Sequence, residues 1–344
     1  MHIPENYLSP ATCGVMTVAM IPVWAHAIKK VKIDLPKEKL PLVGAGAAFS
    51  FLAMMFNVPL VGGTTGHAVG GTLIALLFGP DAACLAVSVA LFLQAVIFGD
   101  GGILSFGANC FNMAFILPYT GYLVYSILVK FLNRGEKEKS GIHYISAAIG
   151  SYVGINVAAF MAAVEFGIQP LLFKDSLGNA LYCPYDLSVS VPAMMIPHLL
   201  VAGFVEAAFT VAIYAFVRKS SPDLLFENIR NSSTKPKSHL PVFVMIALLV
   251  VMTPLGLIAT GTAWGEWGAE EIKDVIVNGS SLGYTPKGLL NGWTLDTLMP
   301  DYSMEGMNEI LAYILSAVIG VSLLIIIFKL FSLVLEKKSI YHDA

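Results

Sequence analysis

Charged residues are scarce in this sequence. Asp, Glu, Lys and Arg together make up 12% of its 344 residues, whereas about 25% is typical of soluble proteins. This scarcity excludes an ordinary soluble enzyme. The 56% of hydrophobic residues and the 31 glycines instead indicate many packed apolar helices, because membrane helices tolerate glycine better than soluble ones do. We predict an all-α polytopic protein of the cell membrane.

Several motifs of enzyme chemistry are also missing. A net charge of -3, without basic clusters interleaved with aromatic residues, argues against a nucleic-acid partner. The sequence has no P-loop, nucleophile elbow, His-Glu-x-x-His motif or dinucleotide-binding glycine motif, so it predicts neither an enzyme nor a cofactor nor a self-contained ATP-driven pump. The cysteines form no Cys-x-x-Cys pair, which favours isolated structural thiols over a zinc or redox site. They are Cys13, Cys84, Cys110 and Cys183.

Nine apolar segments approach the length of about 20 residues that a membrane-spanning helix needs. These predicted spans are residues 11–28, 40–57, 62–79, 82–98, 108–131, 142–166, 188–217, 240–263 and 308–331. Lys and Arg concentrate in three of the intervening loops, residues 29–39, 130–139 and 218–237. Because basic residues are retained on the cytoplasmic side, the N-terminus is predicted outside and the C-terminus inside.

A polar, basic connector divides the chain. Residues 218–239 are rich in serine, proline and basic residues, a composition typical of a linker. They separate residues 1–217, with seven predicted spans, from residues 240–344, with two. The segment 264–307 between the last two spans is predicted outside and is acidic. This loop either concentrates cations or only connects two helices.

The first two residues offer an unusual set of nitrogen ligands. The N-terminus lacks the basic and apolar regions of a signal peptide, and the bulky His2 disfavours removal of Met1, so we expect a free amine on Met1. This amine, the backbone amide of His2 and the His2 imidazole can close two fused chelate rings around one metal ion. An all-nitrogen set with an ionised amide favours Ni(II) or Cu(II) over Mg(II) or Ca(II), and it does not exclude Co(II).

His67 is the obvious donor of a fourth ligand. It is predicted on the same side of the membrane as the N-terminus, and ten extended residues reach at most about 33 Å. Gly62, Gly66 and Gly70 recur at every fourth position around it, a spacing that lets backbones approach closely. From this run alone the simpler interpretation is favoured, in which the glycines pack helices and His67 is merely hydrogen-bonded.

Further polar residues are predicted at the same depth, near outer helix ends. Polar groups are costly there and tend to face a cavity or the bundle interior, so as a group they suggest a pathway or support for a metal site. Each alone is more often a helix cap or a packing hydrogen bond. They are Asn57, Gln94, Asp100, Asn109 and Asn112.

Glu206 also falls within a span, but sequence assigns it no partner. The remaining histidines are weaker metal candidates: His26, His143, His198, His239 and His342.

Four motifs together resemble the CbiM/NikM family, the substrate-capture components of energy-coupling-factor transporters for cobalt and nickel. They are MHIPENYLSP at residues 1–10, the glycine-rich run at 62–71, FGDGG at 98–102 and GANCFNMA at 107–114. The resemblance covers residues 1 to about 217. Residues 240–335 look like the small accessory subunit of these transporters, fused in the same chain.

This resemblance implies a function and a set of partners. It implies that Met1, His2 and His67 hold one divalent metal ion, the transported substrate. It further implies a membrane T component and two cytoplasmic ATPase subunits as partners. The expected function is therefore capture of the metal from outside through an N-terminal chelate, followed by delivery inward with ATP hydrolysed by the partners.

The opening motif favours nickel over cobalt. Pro4 and the Ser9-Pro10 pair look closer to the nickel branch of the family, whereas Asn6 departs from the glycine common to both branches, which affects the backbone turn rather than the ligands. One alternative is the same role for cobalt. Another is a secondary transporter coupled to protons through Glu206 and the outer polar residues, without ATPase partners. A membrane-bound enzyme or scaffold is a third, and it predicts no stoichiometric metal.

Overall fold

A computed structural model describes residues 1–132, 140–231, 238–277 and 279–340. Three expectations from sequence fall partly outside this range. Residues 133–139 belong to the second basic loop, residues 232–237 to the predicted connector, and residues 341–344 to the tail that contains His342.

The described residues confirm an all-α membrane protein. Within these residues, the extended structure consists of two short antiparallel strand pairs and one isolated bridge between Lys174 and Ala180. The helices of the first unit are α1 (Pro10–Asp34), α2 (Leu40–Met55), α3 (Gly71–Phe78), α4 (Pro80–Leu93), α5 (Phe106–Asn109), α6 (Leu117–Leu132), α7 (Ser140–Gly167), α8 (Gln169–Leu172), α9 (Leu187–Pro197), α10 (Gly203–Ser220) and α11 (Phe226–Asn231). Those of the second unit are α12 (Leu240–Met252), α13 (Lys287–Asn291) and α14 (Glu309–Ile340).

Eight helical stretches of the described chain are long and apolar enough to cross a membrane. They are Pro10–Asp34, Lys37–Met55, Pro80–Phe98, Phe106–Leu132, Gly141–Leu172, Leu187–Ser220, Leu240–Ile258 and Glu309–Val334. They correspond to eight of the nine predicted spans. The sidedness of the two termini stays a prediction.

The third predicted span, residues 62–79, differs from the expectation. Its helix α3 has only eight residues, and the preceding chain is extended, with β1 (Val58–Pro59) paired to β2 (Thr65–Gly66). Gly62, Gly63 and Gly70 have positive φ angles of 93°, 78° and 73°, which helices do not accommodate. Most of the segment is buried inside the bundle, where irregular backbone is shielded from lipid. A ninth spanning helix is thus absent from the described residues.

Helix α2 forms the centre of the molecule and joins the two units. Fifteen of its 16 residues are buried, and the last helix of the chain, α14, packs along it. At Gly44 an added Cβ atom would lie 2.8 Å from the Cβ of Phe328, so the close approach of these helices requires glycine. The four cysteines are buried and free, as the prediction of isolated thiols requires.

Three segments have the wider turns of a π-helix, which often occur at functional sites. They are Gln94–Phe98, Cys110–Ile116 and His198–Ala202. The first begins at Gln94 and the second contains Asn112, two of the polar residues predicted near the outer helix ends. The third directly precedes α10, which carries Glu206.

An ion pair ties the connector, residues 218–239, to the loop between α1 and α2. The Nζ atom of Lys39 lies 2.6 Å from Oδ2 of Asp223. The same oxygen atom is 3.6 Å from Nε2 of His239, the last residue of the connector. Both described parts of the connector are therefore held beside the same loop of the first unit.

Candidate metal centre

Residues 1–9 form a non-helical segment, the N-terminal arm, which inserts into the bundle. Ile3 and Tyr7 have 0% and 1% of their surface exposed. The arm ends where α1 begins, because the Ser9 side chain caps the helix by accepting a hydrogen bond of 3.0 Å from the backbone N–H of Thr12. Because α1 begins only after this cap, residues 1–9 do not continue along the helix axis and instead enter the bundle.

Backbone hydrogen bonds fix the position of the arm. The amide side chain of Asn109 accepts from the N–H of Ile3 at 2.8 Å and donates to its carbonyl oxygen at 3.0 Å. The same carbonyl accepts from the N–H of Gly102 at 2.9 Å, and the carbonyl of Tyr7 accepts from Cys183 at 2.9 Å. Asn109, predicted as a supporting residue of the site, thus fixes the position of the arm next to His2.

The turn at Asn6 has a left-handed backbone conformation with φ of 65°. Glycine adopts this region at low cost, and asparagine is the residue that tolerates it next best. The Asn6 side chain also donates a hydrogen bond of 3.0 Å to the carbonyl oxygen of Trp293 in the second unit. Asparagine therefore supports the turn at the position where the resemblance led us to expect glycine.

The structure brings His2 and His67 together. Nδ1 of His2 lies 3.2 Å from Nε2 of His67, and both residues are buried, with 3% and 8% exposed. Nitrogen ligands lie about 2 Å from a metal ion, so adjacent corners of a square site are about 2.8 Å apart. Nδ1 of His67 faces the carbonyl oxygen of Ala68 at 3.1 Å, which favours the proton on that nitrogen and a free lone pair on Nε2.

The amino terminus lies in the same region, against the second unit. The Met1 nitrogen is 3.6 Å from Oε1 of Glu266. Burial raises the pKa of the Glu266 carboxyl to about 7. Burial and the nearby positive amino terminus lower the pKa of His2 to about 3, so its imidazole is neutral at pH 7 and needs to lose no proton to bind metal.

Two of the predicted polar residues, Asp100 and Gln94, form a hydrogen-bonded group beside His2. Oδ1 of Asp100 lies 3.1 Å from Nδ1 of His2. Its Oδ2 atom accepts from Nε2 of Gln94 at 3.1 Å and from the hydroxyl of Tyr302. Gln94 also donates to the Tyr302 oxygen at 2.8 Å. The second unit therefore supplies a residue that fixes the carboxylate next to His2.

A polar cavity of about 920 Å³ lies between the two units and reaches both histidines and Asn57. Six carboxylates line it: Asp100, Glu266, Glu270, Glu271, Asp301 and Glu309. All except Asp100 belong to the second unit. The acidic segment 264–307 therefore borders the candidate site.

The other sequence candidates lie elsewhere. Asn112 donates a hydrogen bond of 2.9 Å to Glu165 within the bundle rather than to the arm. The described histidines not yet placed each contact a different group: His26 lies near Asp81, His143 bonds to Tyr125, and His198 faces the carbonyl of Met194. Among the described residues, no three His, Cys, Asp or Glu side chains form a metal-binding group.

Sequence reasoning missed three residues of this region. Tyr302 fixes Asp100, Trp267 accepts a hydrogen bond of 2.7 Å from the Tyr7 hydroxyl, and Glu266 was only one member of an acidic loop. The repeat of tryptophan and glycine around Glu266 was a usable signal, because aromatic residues in a polar outer loop need a surface to cover. No local pattern distinguishes Tyr302 from the other tyrosines.

Comparison with known proteins agrees with this architecture. The family model CbiM, described as a cobalt uptake substrate-specific transmembrane region, matches residues 2–224, and the PDGLE domain model matches residues 238–337. A crystal structure of a transition metal transporter is 52% identical and superposes with a TM-score of 0.59, covering 64% of this chain and 93% of that one.

Two relatives align over nearly their whole length. A probable fused nickel transport protein from Lactiplantibacillus plantarum is 45% identical, over 96% of this chain and 97% of the relative. A fused nickel transport protein from Rhodobacter capsulatus is 46% identical, over 94% and 95%. The chain therefore belongs to the CbiM family of metal transport proteins and carries a PDGLE domain after the family region.

Proposed function

We propose that this protein captures Ni²⁺ from outside the cell and is the substrate-binding component of an ATP-driven importer. The observation that carries the proposal is the 3.2 Å approach of His2 Nδ1 to His67 Nε2, with the amino terminus held in the same region. The relatives named as nickel transport proteins support nickel as the substrate.

The proposed site has four nitrogen ligands. Met1 supplies its amine, His2 its backbone amide and Nδ1, and His67 its Nε2. The amide loses its proton, so the bound dication keeps one net positive charge inside the protein. The carboxylate of Asp100, 3.1 Å from the His2 ring, is placed to offset that charge, because buried charges need a partner.

We propose that partner subunits supply the energy for import by hydrolysing ATP. The chain has no P-loop, so ATP hydrolysis falls to a partner. The resemblance to the family implies that this partner consists of two cytoplasmic ATPase subunits, which act through a membrane T component. The alternative of a proton-coupled transporter required Glu206 to be free for proton exchange. That carboxylate accepts hydrogen bonds from the backbone N–H groups of Val69 and Gly70, which favours a structural role for it.

Cobalt is the second candidate substrate. The family model that matches residues 2–224 is described by cobalt uptake, and the ligand set binds Co²⁺ with neighbouring affinity. Competition between the two ions at one site decides between them, because a square of four nitrogen atoms that includes an ionised amide favours Ni²⁺.

The test compares two forms of the full chain, each with a C-terminal tag. One has the native N-terminus, and the other carries one extra residue before Met1. The extra residue leaves every side chain intact but removes the terminal amine from the chelate. We expect about one nickel per chain in the native form and loss of nickel in the extended form, with a His198→Gln variant as a control that retains nickel. Equal binding by both forms would refute the N-terminal chelate. Cobalt outcompeting nickel would reassign the substrate.

A further inference from the structure

Glu206 lies fully buried in α10, with 0% of its surface exposed, and its carboxylate reaches the loop that carries His67. Oε2 accepts from the N–H of Val69 at 2.7 Å. Both oxygen atoms lie 3.1 Å from the N–H of Gly70. A carboxylate inside a membrane bundle is costly, so a carboxylate held only by backbone groups of one loop calls for a specific role.

The local backbone explains why the loop accepts a negative charge. Gly70 has a left-handed conformation with φ of 73°, and the N–H groups of consecutive residues around such a turn form a concave anion site. Helix α3 begins at Gly71, so its N-terminal dipole also favours an anion there. The carboxylate in turn satisfies N–H groups that would otherwise be unpaired in a buried, non-helical segment.

The same loop is held from a second side. The hydroxyl of Ser50 donates a hydrogen bond of 2.7 Å to the carbonyl oxygen of Val69. One residue earlier, the carbonyl oxygen of Ala68 contacts the His67 ring at 3.1 Å. Val69 is therefore fixed through both its N–H and its carbonyl, and the adjacent peptide orients the His67 imidazole.

We propose that Glu206 is a positioning residue: it fixes the loop at residues 67–70 and thereby sets the direction in which His67 Nε2 meets the metal. This proposal rests on the proposed function, since it takes His67 as a nickel ligand. It adds a determinant of the metal geometry that lies outside the ligand set. A square-planar site depends on ligand direction more strictly than a flexible one does.

The position of Glu206 also links the metal loop to a distant part of the protein. Helix α10 continues without a break from Gly203 to Ser220. Ser220 lies 14 positions after Glu206, a distance of about 21 Å along the helix at 1.5 Å per residue. The carboxylate of Glu206 therefore connects the His67 loop to a helix that extends to Ser220.

The test uses nickel alone as the probe and the full chain with its native N-terminus. The variants are Glu206→Gln, which keeps the shape but places an amide N–H against a backbone N–H, and Glu206→Ala. The matched control is Glu165→Gln, which changes another buried glutamate, the one bonded to Asn112. The readouts are nickel affinity and the visible absorption band of square-planar nickel.

We expect Glu206→Gln to bind nickel at least tenfold more weakly, with a shifted band, and Glu206→Ala to bind it more weakly still. Glu165→Gln keeps the native affinity and band. An unchanged affinity and band in Glu206→Gln would overturn the proposal. If Glu206→Gln does not fold, Ser50→Ala replaces it, because that change removes the other bond to Val69 without altering charge. Ser50→Ala should then lower the affinity at least threefold, and no change would overturn the proposal.

The outcome for Glu206 is distinguishable from that for the proposed function. If the form extended before Met1 loses nickel while Glu206→Gln keeps the native affinity and band, only the positioning role fails. If the extended form binds nickel as well as the native form does, the N-terminal chelate itself fails.

Discussion

The hydroxyl of Tyr302 donates a hydrogen bond to the carboxylate of Asp100 across the boundary between the two units. Asp100 in turn lies 3.1 Å from the ring of His2. A residue of the PDGLE domain thus holds a carboxylate beside a proposed metal ligand of the CbiM region. The second unit is part of the surroundings of the site, as well as a neighbour in the membrane.

Substituting Tyr302 tests this relationship. Tyr302→Phe removes the hydroxyl, which leaves Asp100 and Gln94 each without one partner at a cost of roughly 1–2 kcal/mol. We expect nickel affinity to fall by about 5- to 30-fold, measured by titration of the purified full chain. Tyr313→Phe is the control, because that buried hydroxyl bonds instead to the carbonyl of Met55 at 2.8 Å. Equal losses in both variants would contradict a specific role for Tyr302.

Asn109 controls whether the arm stays in the bundle. Asn109→Ala removes both hydrogen bonds to Ile3. The buried N–H of Ile3 then lacks its acceptor, at a cost of roughly 1–3 kcal/mol. Hydrogen exchange of residues 1–9 should become about 5- to 100-fold faster. Asn228→Ala, which removes a bond to the carbonyl of Pro222, should leave the arm protected. Unaltered exchange in Asn109→Ala would show that apolar burial and the remaining hydrogen bonds hold the arm without Asn109.

The carboxylates of the cavity should speed the arrival of cations. Glu270→Gln combined with Asp301→Asn removes two charges from the cavity wall. We expect nickel association to slow by about 2- to 10-fold at low ionic strength and the difference to vanish at high salt. Asp296→Asn combined with Glu305→Gln changes the net charge of the same loop equally at residues that do not line the cavity. Similar slowing in both double variants would attribute the effect to overall charge.

Docking of the arm in the metal-free protein should depend on pH. The pKa of His2 falls from 6.5 to about 3 when the residue is buried, so the undocked arm binds a proton more readily than the docked arm does. Docking is therefore fully favourable above pH 6.5 and weakens as the pH falls from 6.5 towards 3. Hydrogen exchange of residues 1–9 across this range measures the effect. His2→Asn, which cannot take up the proton, should show a flatter profile, and an identical profile would exclude His2 as the cause.

The membrane spans were predictable because lipid imposes one requirement on every span, a long apolar run with internal hydrogen bonds. The segment at 62–79 was the exception, since it is apolar and buried by protein but has an irregular backbone before the short helix α3. Composition does not separate these two environments. The positive φ angles of Gly62, Gly63 and Gly70 are conformations that sequence permits but does not require.

The site was partly predictable for a similar reason. Polar residues such as Asp100 and Gln94 were noticed because they are costly at membrane depth, and the structure places them beside His2. The partner of Asp100 could not be predicted. Tyr302 lies 202 residues away along the chain, and no periodicity relates the two residues. Asn109 was predicted to support a metal site or to line a pathway, but sequence did not indicate that it would do so by holding the backbone of Ile3.

The contacts that cover the N-terminal arm from the second unit have a consequence for biosynthesis. Tyr7 and Asn6 bond to the carbonyl oxygens of Trp267 and Trp293, which lie 260 and 287 residues later in the chain. The arm therefore leaves the ribosome long before the segments that enclose it. The bonds that cover the arm from the second unit can therefore form only after Trp267 and Trp293 have been synthesised. The wall that the second unit contributes to the cavity is thus completed late in translation.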